Sequence, residues 1–379
     1  MLQILQEKKR CRIVVKIGSS SLTEKAGGIS LSKLTDHVDA LAYMKQLGHE
    51  VILVSSGAVA AGFHSLGFAQ RPSSMEMIQA TAAVGQGLLI YTYSQAFSKF
   101  HIPVAQLLLT RRDFSTRQQF TNAHNTLTAL LQRGAVPIIN ENDTVSIDEL
   151  TFGDNDMLSA LVAGAIHADL LIILTDTDGL YNANPRTDPT AKKIPLVEKI
   201  TPEIEAMASG AGSDVGTGGM RSKVIAAKTA LSFGVKVFVG EGVGQEKLYQ
   251  ILEGNGNGTY FGSTELSTMN NKKQWIAFHA DVKGCLVVDG GAKMALMEMG
   301  KSLLPSGIIE VRGQFAQGDI VEVITAYGDR LGKGVVNYAS DLIEQAMGHD
   351  SQYAMSLGSG NNRPEIIHRD EWVSYEWRE

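Results

Sequence analysis

Residues 216–223 read Gly216-Thr217-Gly218-Gly219-Met220-Arg221-Ser222-Lys223, and an apolar run with helical spacing follows at once: Val224, Ile225, Ala227, Leu231. Glycines let backbone N–H groups turn toward one point, and a helix N-terminus adds its partial positive charge there. Lys223 falls in the first turn of the expected helix, over residues 219–233. Loop, helix start and lysine together make a site for a polyphosphate. By itself the stretch reads equally well as a flexible turn before a core helix, so the choice depends on the rest of the chain.

Upstream, short apolar runs alternate with helical ones. Strands are expected at residues 12–17, 51–54, 104–109, 135–139, 170–174 and 235–239, and helices at 31–47, 75–97, 121–131 and 157–166. All-apolar strands alternating with helices form a mostly parallel sheet covered on both faces. Such sheets bind ligands at the carboxyl ends of their strands. Polar and glycine residues stand there repeatedly: Gly18-Ser19, Ser56-Gly57, Asn140-Glu141-Asn142-Asp143 and Thr175-Asp176.

The pattern changes near residues 254–262. A polar, linker-like segment occupies 263–275, and strands are expected at 282–288, 307–311 and 320–324, with one late helix at 340–347. The expected organisation is a first domain over 1–262, a linker over 263–275, and a small, mainly-β domain with a tail over 276–379.

Bulk properties exclude several classes. The chain has 379 residues, 44% hydrophobic and 20% charged, as in a globular protein with a large core. Residues 276–379 carry 4 Lys and 5 Arg against 7 Asp and 8 Glu, so this third holds the whole net charge of −6. An acidic segment is a poor surface for a phosphate backbone, and nucleic-acid binding is not expected. The two cysteines, Cys11 and Cys285, match no metal spacing and read as small apolar residues in a reducing compartment. Residues 1–12 are polar and basic, without the apolar core of a secretory signal. The apolar run at 170–174 is too short to span a bilayer, so the expected location is cytoplasmic.

Four stretches could converge at the strand ends. Lys16, late in a buried strand before Gly18-Ser19, suits a phosphate; otherwise its stem covers apolar surface and its head reaches solvent. Ser55-Ser56-Gly57-Ala58 could hold a carboxylate or phosphate, or simply cap a helix. Asn140-Glu141-Asn142-Asp143, with Gly153-Asp154-Asn155-Asp156, suits an amino acid, whose ammonium needs acceptors and whose carboxylate needs donors; the plain alternative is a solvated loop capping the next helix. Thr175-Asp176-Thr177-Asp178-Gly179 could hold a nucleotide edge or form a turn. There is no G-x-x-x-x-G-K-[ST], no G-x-G-x-x-G after the first strand, no G-x-S-x-G and no H-E-x-x-H.

Phosphoryl transfer needs positioning and positive charge more than covalent chemistry. Lys16 and Lys223 could both meet the phosphates, with Asp156 between the two ammonium groups to relieve their repulsion. A carboxylate acceptor is already ionised at pH 7 and needs no general base, which fits four stretches without a histidine. No direct protein ligand to a metal is expected; Mg²⁺ would travel on the phosphates of ATP.

These residues resemble the amino-acid-kinase superfamily, and within it the glutamate 5-kinases. The pieces run in family order: VVKIGSS at 14–20, SSGAVAAG at 55–62, LLLTRRDF at 107–114, NENDTV at 140–145, FGDND at 152–156, LTDTDGLY at 174–181 and GTGGMRSK at 216–223. Gly290-Gly291-Ala292-Lys293 and residues 301–307 resemble a PUA domain. The resemblance implies an amino-acid-kinase-like α/β/α sandwich with a mostly parallel central sheet, plus a small PUA-like domain. It implies that Lys16 and Lys223 are catalytic lysines organised by Asp156. Around ATP it places Lys16, Gly18, Thr175, Asp176, Thr217, Gly218, Gly219, Met220, Arg221, Ser222 and Lys223, with Arg221 open between a nucleotide contact and solvated surface. It places Ser56, Gly57, Asp143 and Asn155 around glutamate. The implied activity is phosphorylation of the glutamate γ-carboxylate, the first step of proline synthesis. Proline as inhibitor, a homo-oligomer (dimer or tetramer) and coupling to a glutamyl-phosphate reductase are implied with it. Two alternatives stand beside this: a sister kinase acting on another carboxylate or phosphate acceptor, and an RNA-binding protein acting through the PUA-like domain.

Overall fold

The computed structural model describes residues 10–24, 27–145, 154–185, 187–210, 219–262, 276, 282–357 and 363–375. The chain divides into two compact units, one from residues 1–113 and 121–268, the other from 114–120 and 269–379. The expected linker at 263–275 lies outside the described residues, as do Thr217 and Gly218.

The first unit is built on an eight-stranded sheet. Its strands are β1 (Arg12–Ile17), β2 (Glu50–Ser55), β3 (Val104–Leu109), β4 (Val136–Glu141), β5 (Leu170–Leu174), β6 (Leu196–Val197), β7 (Lys236–Glu241) and β8 (Asn257–Phe261). The spatial order is β3-β4-β2-β1-β5-β7-β8-β6. Every pairing is parallel except β7 with β8. β1 lies at the centre, with Lys16 in register with Val54 on one side and Ile173 on the other.

Alternation along β1 assigns its two faces. Ile13, Val15 and Ile17 join one core with the helices α1 (Leu31–Gln46) and α3 (Met75–Ser98), through Leu34, Val38, Leu41, Leu89, Tyr93 and Phe97. Lys16 points to the opposite face, where Asp156 of α5 (Asp154–Ala165) is its partner and α7 (Met220–Ser232) brings Lys223 to the same carboxylate. A strand buried on both faces reads as continuously apolar, so one lysine in it stands out.

Between β2 and α3 lies the five-residue helix α2 (Ala58–Gly62). A Cβ added at Gly85 of α3 would stand 1.8 Å from the Ala58 carbonyl oxygen, and one at Gly62 would stand 2.2 Å from that of Thr81. Glycine at both positions lets the two backbones touch. This close crossing fixes where α3 passes relative to the β2 terminus. α4 (Arg117–Gln132) and α6 (Pro202–Gly210) complete the longer helices, and α8 (Lys247–Leu252) follows β7.

The second unit holds a separate five-stranded sheet. Its strands are β9 (Val282–Val288), β10 (Ile308–Arg312), β11 (Ile320–Thr325), β12 (Arg330–Val335) and β13 (Trp372–Ser374), in the order β10-β9-β11-β12-β13. Only β9 with β11 is parallel. Its own core includes Leu286, Val288, Leu296, Val321, Val323, Leu331, Ile343 and Ile367. Helix α9 (Gly290–Met297) begins at the Gly-Gly pair because the Asp289 carboxylate accepts from the Ala292 N–H at 2.7 Å, a side-chain cap. α10 (Ser340–Ala346) and α11 (Ser351–Leu357) follow.

Candidate active site

Three charged side chains meet at the carboxyl end of β1. Lys16 Nζ lies 2.7 Å from Asp156 Oδ1, and Lys223 Nζ lies 3.3 Å from Asp156 Oδ2. Ser222 Oγ donates to the same Oδ2 at 2.8 Å. β1, α5 and α7 thus each contribute to one cluster, from positions 16, 156 and 222–223. Asp156 is 0% exposed, Lys16 7% and Lys223 5%, so all three charges are held largely out of water.

Buried charge must be paired to be tolerated. Burial would raise the Asp156 carboxyl, but the ammonium groups of Lys16 and Lys223 outweigh it and hold the carboxyl below its ordinary value. Burial pushes the Lys223 ammonium down, Asp156 opposes this, and Lys16 adds to the lowering. One carboxylate between two ammonium groups leaves a net positive site, suited to an anion bearing several negative oxygens. Gly18 is immediately beside it, since a Cβ there would be 3.5 Å from Lys16 Nζ.

Asn155, the residue before Asp156, builds a second cluster of polar side chains. Asn155 Nδ2 donates to Ser56 Oγ and to Asn140 Oδ1, both at 3.0 Å. Asn140 and Glu141, the last residues of β4, are buried. Ser56 follows β2, and its N–H donates to the Ile17 carbonyl at 3.2 Å, tying the β2 terminus to that of β1. Gly57 takes φ 104° before α2, a conformation that favours glycine. Asp143 is half-buried in the turn after β4.

The nucleotide-side candidates divide. Thr175 follows β5, where its N–H donates to the Gly240 carbonyl at 3.0 Å and its hydroxyl to Asp176 Oδ1 at 3.2 Å. The charge of Asp176 is felt at Lys223. Gly219 caps α7, and Ser222 Oγ also donates to its carbonyl at 2.8 Å. Met220 stands half-buried in the first turn. Arg221 is exposed and lines a small cavity with Glu205, Ala208 and Val224, on the side of α7 that faces α6.

Sequence reasoning passed over Gln86 and Tyr93. Gln86 Oε1 accepts from Asn140 Nδ2 at 2.8 Å, and Tyr93 OH lies 3.0 Å from Ser55 Oγ. Both sit on α3, where the surrounding apolar residues gave them the look of an ordinary core helix. A lone amide between Gly85 and Gly87 was the available signal.

Comparison with known proteins places the chain in a family. Residues 11–241 match the model of the amino acid kinase family, and residues 284–354 match that of the PUA domain. The chain is 57% identical over 366 residues to the glutamate 5-kinase of Geobacillus thermodenitrificans (strain NG80-2), covering 97% of this chain and 98% of that one. It is 53% identical to the glutamate 5-kinase of Bacillus cereus (strain ATCC 10987 / NRS 248), covering 97% and 100%. A solved carbamate kinase from Giardia lamblia bound to AMP-PNP is similar at 19% identity, with a TM-score of 0.48 over 67% of this chain and 98% of its own. The chain belongs to the amino acid kinase family and, within it, groups with the glutamate 5-kinases.

Proposed function

We propose that the chain transfers the γ-phosphoryl group of ATP to the γ-carboxylate of L-glutamate, giving L-glutamyl 5-phosphate and ADP. The observation that carries this reading is the pair of buried lysines, Lys16 and Lys223, held on the two oxygens of one buried carboxylate, Asp156. The ammonium groups supply fixed positive charge where the transferring group and the departing ADP carry negative charge. Asp156 sets their spacing. The acceptor carboxylate is ionised at neutral pH, so attack needs no base.

Ser56, Gly57, Asn155 and Asp143 bind glutamate in this reading. Gly18, Thr175, Asp176 and residues 217–223 surround ATP. Both Asp156 oxygens are engaged by Lys16, Lys223 and Ser222, which leaves this carboxylate poorly placed as a metal ligand. Mg²⁺ would therefore be held chiefly by nucleotide oxygens, where it neutralises phosphate charge. Residues 1–262 form the catalytic domain and 276–379 the PUA-like domain with its tail, joined by a linker over 263–275. The product enters proline synthesis, with proline as feedback inhibitor and a glutamyl-phosphate reductase as the coupled enzyme. The working form is a cytoplasmic homo-oligomer, a dimer or tetramer. Among the described residues, no helix is long and apolar enough to cross a membrane.

The test is turnover with ATP, Mg²⁺ and glutamate, with hydroxylamine present to trap the acyl phosphate as a hydroxamate. Glutamate-dependent hydroxamate and ADP in equal amounts are expected. Turnover with another acceptor but none with glutamate would overturn the substrate assignment.

A further inference from the structure

Helix α3 reaches the acceptor side through one polar side chain. Gln86 is nine-tenths buried, and the Gly62–Gly85 crossing brings its helix against α2, directly behind the Ser56 turn. Its Oε1 accepts from Asn140 Nδ2 at 2.8 Å. Asn140 Oδ1 accepts in turn from Asn155 Nδ2 at 3.0 Å, and Asn155 Nδ2 also donates to Ser56 Oγ at 3.0 Å. Four side chains from four separate elements therefore form one continuous chain of hydrogen bonds.

The direction of that chain is set by a group that cannot reverse. The Glu141 backbone N–H donates to Asn140 Oδ1 at 2.9 Å and to Asn155 Oδ1 at 3.3 Å. A backbone N–H only donates, so both amide oxygens must face it. Their NH₂ groups then point away, that of Asn140 to Gln86 and that of Asn155 to Asn140 and Ser56. Ser56 Oγ becomes an acceptor within the relay. Its hydroxyl hydrogen is left over, with no acceptor among the described residues, and a hydroxyl with a spare hydrogen suits an incoming carboxylate.

We propose that Gln86 is a positioning residue for the acceptor substrate, holding Asn140 and Asn155 so that Ser56 presents its hydroxyl as a donor to a carboxylate. This rests on Ser56 and Asn155 lying at the acceptor site. Gln86 itself touches no substrate. Its work is to satisfy the NH₂ of Asn140, a residue only 2% exposed. Without an acceptor there, Asn140 gains by rotating to seek another partner, and the relay loses its register.

Two variants test this on the full-length protein. Gln86→Leu keeps the bulk and removes the acceptor. Gln86→Glu keeps an acceptor oxygen facing Asn140. In Gln86→Leu the KM for the carboxylate acceptor should rise roughly tenfold, the scale of one buried amide left unpaired, with the KM for ATP unchanged. Gln86→Glu should restore most of the acceptor KM. Unfolding temperatures are read in parallel, and a merely structural role would move both KM values together as the melting temperature falls. That outcome, an unchanged acceptor KM in Gln86→Leu, or no recovery in Gln86→Glu would each overturn the proposal. The measurement uses whichever carboxylate the wild-type protein phosphorylates. Failure with glutamate in the wild type therefore counts against the substrate assignment, and failure of the variant pattern counts against the relay.

Discussion

Lys16 and Asp156 are 140 positions apart in sequence, and their side chains meet at 2.7 Å with the carboxylate fully buried. The pair joins the central strand to the helix that covers it. With Lys223 on the other oxygen, the carboxylate neutralises only one of two ammonium charges. Asp156→Asn removes that compensation while keeping the shape. The lysines then repel, and kcat should fall by roughly 10²-fold or more, as when a preorganised charge is lost. The melting temperature should fall as well, since breaking a buried pair costs about 3–5 kcal/mol. Steady-state kinetics with calorimetry checks both; an Asp156→Asn enzyme with wild-type kcat removes Asp156 from the machinery.

Lys223→Ala separates binding from chemistry. The lysine stands in the first turn of α7, on the transferring group in the proposed reading. Its loss should lower kcat by roughly 10²-fold or more while the KM for glutamate changes little. In the wild type, burial holds this ammonium below the ordinary lysine value of 10.5, against the pull of Asp156. As pH rises, Lys223 loses its proton earlier than a free lysine. The alkaline fall in kcat/KM, which reports groups of the free enzyme, should therefore begin below pH 10.5 and be absent from the residual activity of Lys223→Ala.

Asp143 should behave in the opposite way. It stands half-buried in the turn after β4, close to Asn140 and Glu141 in sequence. A carboxylate there can receive the glutamate ammonium. Asp143→Ala should raise the KM for glutamate and leave that for ATP near its wild-type value, the pattern of a lost binding contact. Equal changes in both constants would assign Asp143 to the loop's structure instead.

Some of this was legible because it rests on local pattern. Residues 12–17, 104–109 and 170–174 are short apolar runs, and they form strands with those same ends. Lys16 stands out as the charge in such a run. β8 was not legible, because Asn257-Gly258 at its start reads as a turn, yet here it opens an antiparallel strand against β7. β6 and β13 have two and three residues, too few to show any period. The Gln86–Asn140 bond joins positions 54 apart, and no local pattern announces it. Its existence depends on a backbone crossing at Gly62 and Gly85 that only the folded chain defines.

That crossing yields its own prediction. A methyl group at Gly85 would lie 1.8 Å from the Ala58 carbonyl oxygen, which is backbone and has little freedom to move. Gly85→Ala must force α2 and α3 apart. Overpacking of this kind costs about 1–3 kcal/mol or more. Gly87→Ala, two residues on and facing open space, is the control. Thermal unfolding should show a clear loss for Gly85→Ala and little change for Gly87→Ala. The same separation should withdraw Gln86 from Asn140 and raise the KM for glutamate.

His37 predicts how the fold responds to acid. The ring is buried on α1, and its Nε2 lies 3.1 Å from the Ser21 carbonyl. Burial lowers its pKa from 6.5 to about 4, with Lys247 and Lys33 adding to the lowering and Asp36 and the Ser21 bond opposing it. The folded protein therefore keeps this ring neutral, with its proton on Nε2 as donor to Ser21. Between pH 6.5 and about 4 the unfolded chain takes up a proton that the folded chain refuses. Stability must fall as pH falls through that window, by about 2 kcal/mol at pH 5 from this residue alone. His37→Gln retains an N–H donor for the Ser21 carbonyl and cannot titrate. Urea unfolding at pH 7 and pH 5, followed by far-ultraviolet circular dichroism, should show the wild type losing more of its stability on acidification than the variant. Equal losses would mean that His37 is charged in the folded protein at pH 5.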